Sequence, residues 1–474
     1  MSPAPPSIDA APLHALVSSF APERHCPTLV WGVIVDGRLA ATGTVGDVAH
    51  RTVYRIASMT KSFSAAATLQ LRDEGVLRLD DRASDHAREL RALDRFDAAP
   101  ITIRDLLAMT SGLPTDDPWA DRHLDLTDER FDRIITDGPV FARSTGDSFE
   151  YSNFGYAILG RVVHRATGHR IQELVSERLL GPLGLRSTTW TQPDHDEWAR
   201  PQRWVDGAGG TEGGYVDEHD PLGDGVIAPM GGLWTTLRDL ATWVTWLDRA
   251  FPARNEPDDG PLCRASRREM QTTQRYIGTR TVAGIPSPCG YGYGLVTIDH
   301  PDLGRVITHS GGLPGYGSNM RWLPGRGVGA IALANSTYAP MLELTARLLA
   351  VVAEQGLVTP DRPAVTSDVD AAAHRLVALL NNWDDGDALE LFTESLVLDD
   401  TIDRHAAAAA GFVEGHGPLT VATVEATSSA AAKVRCVGQS GEDLTVSFLL
   451  APRRPLQIQS YTFTTDGRAS APAD

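Results

Sequence analysis

The sequence predicts an α+β protein in which antiparallel strands and helices occupy separate stretches of the chain. Residues 28–45 hold two apolar runs around Asp36-Gly37, a pattern typical of a β-hairpin with a tight turn. Helical patterns then prevail until strand-like runs return at residues 288–299 and 305–309. Beyond Pro360, helices are again followed by alternating runs, which predicts a second and smaller α+β unit.

Length and composition indicate the domain organisation. The 474 residues exceed what one hydrophobic core usually holds, which predicts two or three domains. The stretch TPDRPAVTSD contains Pro and Asp in the manner of a linker. We therefore expect a main domain over residues 1–358, a linker over 359–367 and an accessory domain over 368–474.

Charge and cysteine usage restrict the partners and the compartment. A net charge of −18 disfavours nucleic acid and anionic membranes as partners. The N-terminus is a poor signal peptide, and no window approaches the roughly eighteen apolar residues that span a bilayer. The four cysteines are scattered without metal-type spacing, as expected for free thiols in a reducing compartment. These features predict a cytoplasmic protein. They are compatible with a monomer and with a homo-oligomer.

The elements of the main domain follow from local sequence, and the first group is helical. Ala, Leu and Gln dominate residues 59–74, which predicts a helix that Gly75 ends. Residues 76–145 predict short helices and loops, and the apolar run after Asn153 predicts a helix to about Ala166. The run TTLRDLATWVTWL predicts a further amphipathic helix.

Strand signals return in the last third of the main domain. The run PCGYGYGLVTID predicts the start of a strand. Residues 328–335 predict a buried strand antiparallel to residues 305–309. His195 and His219 stand among acids, but their spacing is not that of metal ligands, so we expect solvated turns there.

The accessory domain begins with helical patterns and ends with strand patterns. Two amphipathic helices and a third at residues 405–413 precede the runs LTVATVEAT, AAKVRCV, LTVSFLL and LQIQSYTF. This element order is similar in outline to cystatin-like and NTF2-like modules. The domain would cover the mouth of an active site, support dimerisation or act as a stabilising appendage.

The first candidate for chemistry is Ser58 with Lys61. A spacing of three places both side chains on one face of a helix, so the amine can reach the hydroxyl. Only two of the 43 basic residues are lysines, Lys61 and Lys433. Arg cannot give up its proton in a protein, whereas a desolvated Lys can act as a base. The alternative is a helix-capping serine with a solvated lysine.

Two further candidates lie at Tyr151 with Asn153 and at His309. The phenol and amide, two residues apart in a turn, can face one cavity as proton relay and donor, or instead pack and cap a helix. His309 precedes Ser310 and the pair Gly311 and Gly312, where we expect a strand to end. The histidine is a donor or proton relay, or else an ordinary strand-end residue.

Ser-x-x-Lys, Tyr-x-Asn and His-x-Gly in this order resemble the motifs of the serine β-lactamase and D,D-peptidase superfamily, closest to its class C, D-aminopeptidase and carboxylesterase branch. The resemblance covers residues 15–355 and includes LLAMTSGLP, YSNFGYAILGRVV and GGLWTTLRDLATW. It implies a penicillin-binding-protein fold, in which an antiparallel sheet is flanked by helices and joined to a helical subdomain.

The resemblance also implies roles for the candidate residues. Ser58 would attack an acyl carbonyl, and Lys61 with Tyr151 would move its proton. Asn153, His309, Ser310 and Gly311 would bind substrate, with an oxyanion hole formed by the backbone N–H groups of Ser58 and Gly312. These roles require a small-molecule acyl substrate and no metal or organic cofactor.

The implied function is hydrolysis of small esters or amides through an acyl-enzyme, of the esterase or D-amino-acid peptidase and amidase type. The alternative is an acyltransferase of the same architecture that acts in natural-product biosynthesis. It would be a transacylase, or a thioesterase or cyclase of the penicillin-binding-protein type. His309 stands where class C β-lactamases have Lys, which disfavours β-lactam hydrolysis. A non-catalytic sensor that stays acylated is the remaining alternative.

Overall fold

The structure is a computed structural model that describes residues 8–469 except 95–97, 195–196, 208–212, 220–221, 252–257, 259, 283, 359–362, 364 and 466–467. The expected turn at His195 therefore lies outside the described residues. Contacts within the chain divide it into two compact units, Met1–Thr359 and Pro360–Asp474. In the described ranges, no helix is long and apolar enough to cross a membrane.

The first unit combines strands with mostly short helices. Its strands are β1 (Leu29–Val35), β2 (Arg38–Val45), β3 (Tyr54–Arg55), β4 (Gln202–Val205), β5 (Gly214–Asp217), β6 (Trp234–Thr235), β7 (Arg275–Val282), β8 (Ile285–Tyr291), β9 (Val296–His300), β10 (Gly304–Leu313), β11 (Tyr316–Leu323) and β12 (Val328–Ala334). Its α-helices are α1 (Ala11–Glu23), α2 (Thr60–Asp73), α3 (Ala83–His86), α4 (Ile103–Leu107), α5 (Asp117–Ala120), α6 (Asp128–Asp137), α7 (Asn153–Thr167), α8 (Ile171–Val175), α9 (Gly181–Leu183), α10 (Leu237–Asp248), α11 (Arg264–Met270) and α12 (Met341–Glu354). Short 3-10 turns at Ala57–Met59, Arg88–Leu93 and Ala228–Met230 and a π-turn at Ser176–Leu180 complete it.

An eight-stranded antiparallel sheet with the order β2-β1-β12-β11-β10-β9-β8-β7 forms the centre of this unit. The N-terminal hairpin joins it beside β12, so the long helical stretch between β2 and β7 is an insertion between two parts of one sheet. Asp36 and Gly37 have φ values of 50° and 68°, the left-handed turn that a two-residue hairpin requires. This architecture confirms the predicted fold class.

Two hydrophobic cores lie on opposite faces of the sheet. Helices α1 and α12 cover one face, where Phe20, Leu344 and Leu348 are buried with the side chains of β1 and β12. The other core is larger and includes α2, α7 and α10. Residues 60–71 of α2 are all buried, because helices surround it, and Gly75 ends the helix region at a φ of 75°.

The strand predictions near the end of this unit were partly wrong. The strand expected at residues 305–309 continues through both glycines to Leu313. Residues 328–335 do form a buried strand, but β11 lies between it and β10, so the two strands run parallel. The single strand expected from PCGYGYGLVTID is the β8–β9 hairpin. Because Gly and Pro interrupt the apolar pattern of these runs, the local sequence does not predict how the strands pair.

The second unit has helices followed by a sheet, as the sequence predicts. Its elements are α13 (Ser367–Asn381), α14 (Asp385–Leu391), α15 (Glu394–Asp399), α16 (Ile402–His416), β13 (Thr420–Ser428), β14 (Ala431–Val437), β15 (Asp443–Leu450), β16 (Ile458–Thr465) and β17 (Arg468–Ala469). The strands pair in sequence order as an antiparallel meander. Alternate residues of β14 and β15, among them Val434 and Val446, join the apolar sides of α13 in the core.

Candidate active site

Ser58 lies in the 3-10 turn Ala57–Met59, directly before α2. Ala57 adopts a φ of 48°, a left-handed conformation that costs an alanine about 1–2 kcal/mol. Ser58, the next residue, lines the cavity described below. Strain of this kind is typical of residues whose position is set by function rather than by stability.

Lys61 follows one turn later and is completely buried. Its Nζ donates to Ser58 Oγ at 3.0 Å, to Asn153 Oδ1 at 2.6 Å and to the Met230 carbonyl oxygen at 2.9 Å. Three acceptors match the three donors of an ammonium group. Burial nevertheless lowers the pKa of Lys61 to about 8, and the opposing effect of nearby carboxylates such as Asp117 is smaller. The side chain can therefore lose its proton near neutral pH.

Tyr151 stands beside this pair, two residues before α7 begins. The Lys61 Nζ lies 4.9 Å from the centre of the Tyr151 ring. Burial raises the pKa of Tyr151 well above its usual value, and a hydrogen bond with Ser58 opposes the rise. The phenol is consequently protonated at neutral pH, and it can pass a proton on but does not start as the base.

Asn153 is the first residue of α7, and it does not cap that helix. Ser152 is the cap, because its Oγ accepts from the Gly155 N–H. The Asn153 amide bridges two charged groups: Oδ1 accepts from Lys61, and Nδ2 donates to Asp117 Oδ1 at 2.6 Å. The capping interpretation of Asn153 is wrong, and the amide instead holds the lysine in place.

Three carboxylates near Lys61 escaped the sequence analysis. Asp116 accepts from the N–H groups of Asn153 and Phe154 at 2.7 and 2.8 Å, at the N-terminus of α7. Burial raises the pKa of Asp121 to about 7, and Tyr338 donates to it at 2.8 Å. The only feature of the sequence that marks these residues is the presence of three aspartates within residues 116–121. This pattern matches no catalytic motif, so their position near Lys61 becomes visible only in the tertiary structure.

His309 lies on β10 and is neutral at physiological pH. Its Nδ1 donates to the Ser310 carbonyl oxygen at 2.7 Å, which leaves Nε2 to accept from the Tyr291 phenol at 3.2 Å. Burial, followed by the charge of Lys61, lowers the pKa of His309 to about 3. Tyr291 was also missed, because the glycine-rich run around it carries no catalytic pattern.

The strand that carries His309 passes very close to Ser58. A Cβ atom on Gly311 would lie 2.1 Å from the Ile56 carbonyl oxygen and 3.0 Å from the Ala57 Cβ. Strand β9 begins at Val296, opposite Thr308, so residues 309–313 of β10 have a strand neighbour on one side only in the described structure. Ser310 turns its hydroxyl toward Asn319, whose Nδ2 donates to it at 2.9 Å. This close approach predicts that Gly311 cannot be enlarged.

Gly311→Ala is therefore expected to lower kcat/KM about 100-fold or more, because β10 must move away from the turn that carries Ser58. In Gly312→Ala, the added Cβ would meet the half-exposed Tyr338 side chain at 2.7 Å, which can move aside, so a much smaller loss is expected. Kinetics on one ester with both variants test this. Equal losses would contradict the role assigned to the close approach.

Five of the eight candidate residues line one cavity of about 960 Å³. Ser58, Tyr151, His309, Ser310 and Gly312 line it directly. Lys61, Asn153 and Gly311 support these residues from behind through the contacts given above. Among the described residues, no group of three or more His, Cys, Asp or Glu is arranged to hold a metal ion.

The Lys61 ammonium is expected to titrate near pH 8, and Asp121→Asn is expected to move its midpoint to lower pH. The reason is that an ionised carboxylate stabilises the ammonium form, and asparagine removes that charge. The neighbouring Asp116 and Asp117 carboxylates remain in the variant. Below the midpoint, kcat/KM on an uncharged ester should fall about tenfold per pH unit as Lys61 takes up a proton.

Lysine labelled with ¹³C at Cε allows a direct measurement, since the chain holds two lysines. Lys433→Arg leaves one signal and so assigns Lys61. A Lys61 midpoint near 10.5, the ordinary lysine value, would contradict the effect of burial. A midpoint that rises in Asp121→Asn would contradict the electrostatic role of that carboxylate.

Comparison with solved structures places the fold among penicillin-binding-protein relatives. The octameric penicillin-binding protein homologue from Pyrococcus abyssi has a TM-score of 0.62 and 20% identity, and the match covers 98% of this chain and 95% of that chain. The D-stereospecific amidohydrolase from Streptomyces sp. has a TM-score of 0.55 and 23% identity, over 71% and 97% of the two chains.

Curated proteins are also similar to this chain. Protein flp of Staphylococcus aureus (strain MW2) is 28% identical over 330 residues, which cover 65% of this chain and 57% of that protein. The chain thus spans little more than half the length of this relative. The D-alanyl-D-alanine-carboxypeptidase/endopeptidase AmpH of Escherichia coli (strain K12) is 27% identical over 290 residues, or 60% of this chain and 70% of AmpH.

A family comparison completes the assignment and confirms the resemblance found in the sequence. The family described as Beta-lactamase matches residues 13–354, which is most of the chain and includes every candidate residue. Its members belong to a superfamily of serine hydrolases. The chain belongs to the Beta-lactamase family, within the serine β-lactamase and penicillin-binding-protein superfamily.

Proposed function

We propose that the protein is a serine hydrolase that forms an acyl-enzyme on Ser58 and cleaves small esters or amides. The observation that carries the proposal is the Lys61 amine, which lies 3.0 Å from the Ser58 hydroxyl and whose pKa is lowered to about 8. At pH 7 about a tenth of the lysine is neutral, which supplies a base in contact with the nucleophile.

In the proposed acylation step, neutral Lys61 takes the proton of Ser58, and Ser58 Oγ bonds to the substrate carbonyl carbon. The carbonyl oxygen gains the negative charge, for which the backbone N–H groups of Ser58 and Gly312 are the proposed donors. The tetrahedral intermediate collapses when the bond to the leaving group breaks. Lys61 returns the proton to that group through the Tyr151 phenol.

Deacylation repeats these steps with water in place of the serine. Water gives a proton to Lys61 and bonds to the acyl carbon, and Ser58 Oγ leaves with a proton from Lys61. The Met230 carbonyl and Asn153 stabilise the ammonium that forms in each half-reaction. Asn153 acts as a positioning residue here, because both ends of its amide are already engaged within the protein.

For the substrate class, we favour amides and esters of the D-amino-acid type. Support comes from the relatedness to AmpH, whose name describes cleavage after D-alanine. The neutral His309 adds to this, since it brings no cation to the place where class C β-lactamases have Lys. Efficient β-lactam hydrolysis is accordingly not part of the proposal.

Mass spectrometry of the intact protein after brief mixing with 4-nitrophenyl acetate tests the proposal. We expect a burst of 4-nitrophenol, an added acyl mass and peptide mapping of that mass to Ser58. Continued release after the burst distinguishes an enzyme from a sensor that stays acylated. Failure to acylate Ser58 with this ester, and with D-alanyl 4-nitroanilide, would refute the proposal.

Acyl transfer is the competing function, and the same experiment addresses it when amines are added. A hydrolase releases free acid at a constant yield as the concentration of D-alanine methyl ester or another amine acceptor rises. An acyltransferase instead converts the acyl group into amide product. If more than half of the product is the amide at millimolar concentrations of the acceptor, acyl transfer becomes the assigned reaction in place of hydrolysis.

A further inference from the structure

Arg55 is a buried cation that lines a small cavity separate from the one containing Ser58. It ends β3 and lies opposite Trp234 of β6, and only 2% of the residue is exposed. Its Cζ lies 5.2 Å from the centre of the Trp234 ring, which covers one face of the guanidinium. The cavity has a volume of about 180 Å³. Among the described residues, the two cavities share a single lining residue, Asp121.

One edge of the Arg55 guanidinium has no hydrogen-bond partner in the described part of the chain. Nη1 donates to the Leu222 carbonyl oxygen at 2.8 Å, whereas Nε and Nη2 are buried without an acceptor. These two nitrogens present parallel N–H groups, the arrangement that matches a carboxylate. Arg51 uses the same two atoms to hold both carboxylate oxygens of Glu197. Arg55 therefore leaves free the edge that receives a carboxylate at Arg51.

No ion pair of Arg55 is found among the described residues, although the side chain is charged at neutral pH. Burial lowers the pKa of Arg55 to about 10, and the opposing effects of Tyr316, Asp224 and Asp125 are smaller. Asp224 is itself paired with Arg170 at 3.2 Å. A buried charge with two unsatisfied donors destabilises a fold, so an anion bound at this edge would offset that cost.

Apolar groups provide much of the remaining wall of the Arg55 cavity. They are Leu124, Leu222, Leu313, Pro314 and the ring of Tyr316. The cavity volume is about six times the roughly 30 Å³ that one water molecule occupies in the liquid. A short aliphatic group fits this space, and its contacts would exclude water from the guanidinium. An ionic contact in such surroundings is stronger than the same contact in water.

One acidic side chain lines the cavity in the part of the chain that the structure describes, and two arginines outweigh it. This acid is Asp121, which accepts from the Tyr338 phenol at 2.8 Å. Burial raises the pKa of Asp121 to about 7, so a large part of it is uncharged at neutral pH. Arg122 is the second arginine, half-exposed and 3.5 Å from Glu218. The lining residues accordingly carry a net positive charge, in a chain whose overall charge is −18.

We propose that this cavity is a binding site for a small carboxylate with a short apolar group, which the free edge of Arg55 holds through two parallel hydrogen bonds. The apolar group would lie against the leucines and Pro314. The site is distinct from the Ser58 cavity and does not depend on the proposed hydrolase function. One free guanidinium edge among apolar walls suits a single negative charge, whereas a phosphate dianion requires more donors.

Calorimetric titration with isobutyrate and with isobutyramide tests the site, because the two probes share a shape and differ in charge. The titrations use the whole chain at constant ionic strength, with chloride as the balancing anion. We expect one site of roughly millimolar affinity for isobutyrate, and binding of isobutyramide at least about tenfold weaker. Arg55→Met should lower the affinity for isobutyrate at least about tenfold, and Arg55→Lys should lower it less.

Two further arginine variants are the controls. Arg51→Met removes an exposed arginine whose matching edge already holds Glu197, and it should leave the affinity for isobutyrate unchanged to within about twofold. Arg321→Met removes another buried arginine, which lines the Ser58 cavity, and it should have equally little effect. Loss of binding in Arg321→Met alone would place the anion in the Ser58 cavity and overturn the proposal. Equal affinities of the parent and Arg55→Met would also overturn it.

Leu222→Trp tests the cavity even if Arg55→Met fails to fold. The added bulk narrows the cavity, while the Leu222 carbonyl that accepts from Arg55 belongs to the backbone and is retained. We expect isobutyrate to bind at least about tenfold more weakly and the circular dichroism spectrum to be unchanged. Binding equal to that of the parent, or no binding of isobutyrate by the parent, would overturn the proposal. Sulfate and phosphate are titrated in parallel, and tighter binding of either anion would overturn the assignment to a carboxylate.

Discussion

Ser58→Ala is expected to reduce kcat by at least about 10⁴-fold on any ester or amide that the wild-type protein cleaves. The substitution removes the only atom that can form the acyl bond in the proposed mechanism. The buried Lys61 keeps two of its three acceptors, Asn153 and the Met230 carbonyl, so the fold should persist. Release of 4-nitrophenol and the mass of the intact protein measure the effect.

The control for this variant is its thermal stability and its labelling by a fluorophosphonate probe. We expect an unchanged melting temperature to within a few degrees and labelling of the wild-type protein alone. An acyl adduct on the alanine variant at the wild-type rate would show that another side chain is the nucleophile. Full turnover without any adduct would exclude the covalent mechanism altogether.

Lys61→Arg is expected to be nearly as damaging as Lys61→Ala, with a loss of about 10²- to 10⁴-fold in kcat. Arginine keeps the positive charge, but it cannot give up a proton at accessible pH. Its larger, planar group also has to enter a site where three acceptors are arranged around one ammonium. The measured quantity is the rate of acylation in the burst phase, since this step requires the base first.

Lys433→Arg is the matched control, because it makes the same substitution at the other lysine, on β14 of the second unit. We expect it to leave acylation unchanged to within about twofold. A near-normal rate in the Lys61→Arg variant would show that charge at this position is sufficient. The proton would then have to leave Ser58 by another route, with Tyr151 the first to examine.

Local sequence was enough to predict elements whose residues have strong intrinsic conformational preferences. The Asp36-Gly37 turn and the helix before Gly75 are examples, because the backbone angles at these residues are intrinsic preferences. Local sequence was insufficient to predict the bounds and pairing of β10 and its neighbouring strands, because glycines interrupt their apolar pattern. Those glycines are present because another backbone comes close, as at Gly311, and not because the strand ends.

The candidate site shows the same division. Ser58, Lys61, Tyr151 and Asn153 were found from their spacing, and the structure brings them together around one ammonium group. Asp117 and Tyr291 were not found, because their significance lies in contacts with residues far away in the chain. A carboxylate in a polar loop looks the same in sequence whether it faces water or a buried lysine.

By itself, the sequence determined the fold class, the order of the three motifs and the choice of lysine in a chain that otherwise uses arginine. The tertiary structure alone decided the burial of Lys61, the contacts around its amine and the neutral state of His309. These properties depend on how much solvent and how many charges surround a group. Both quantities arise from segments distant in sequence, which only the folded chain brings together.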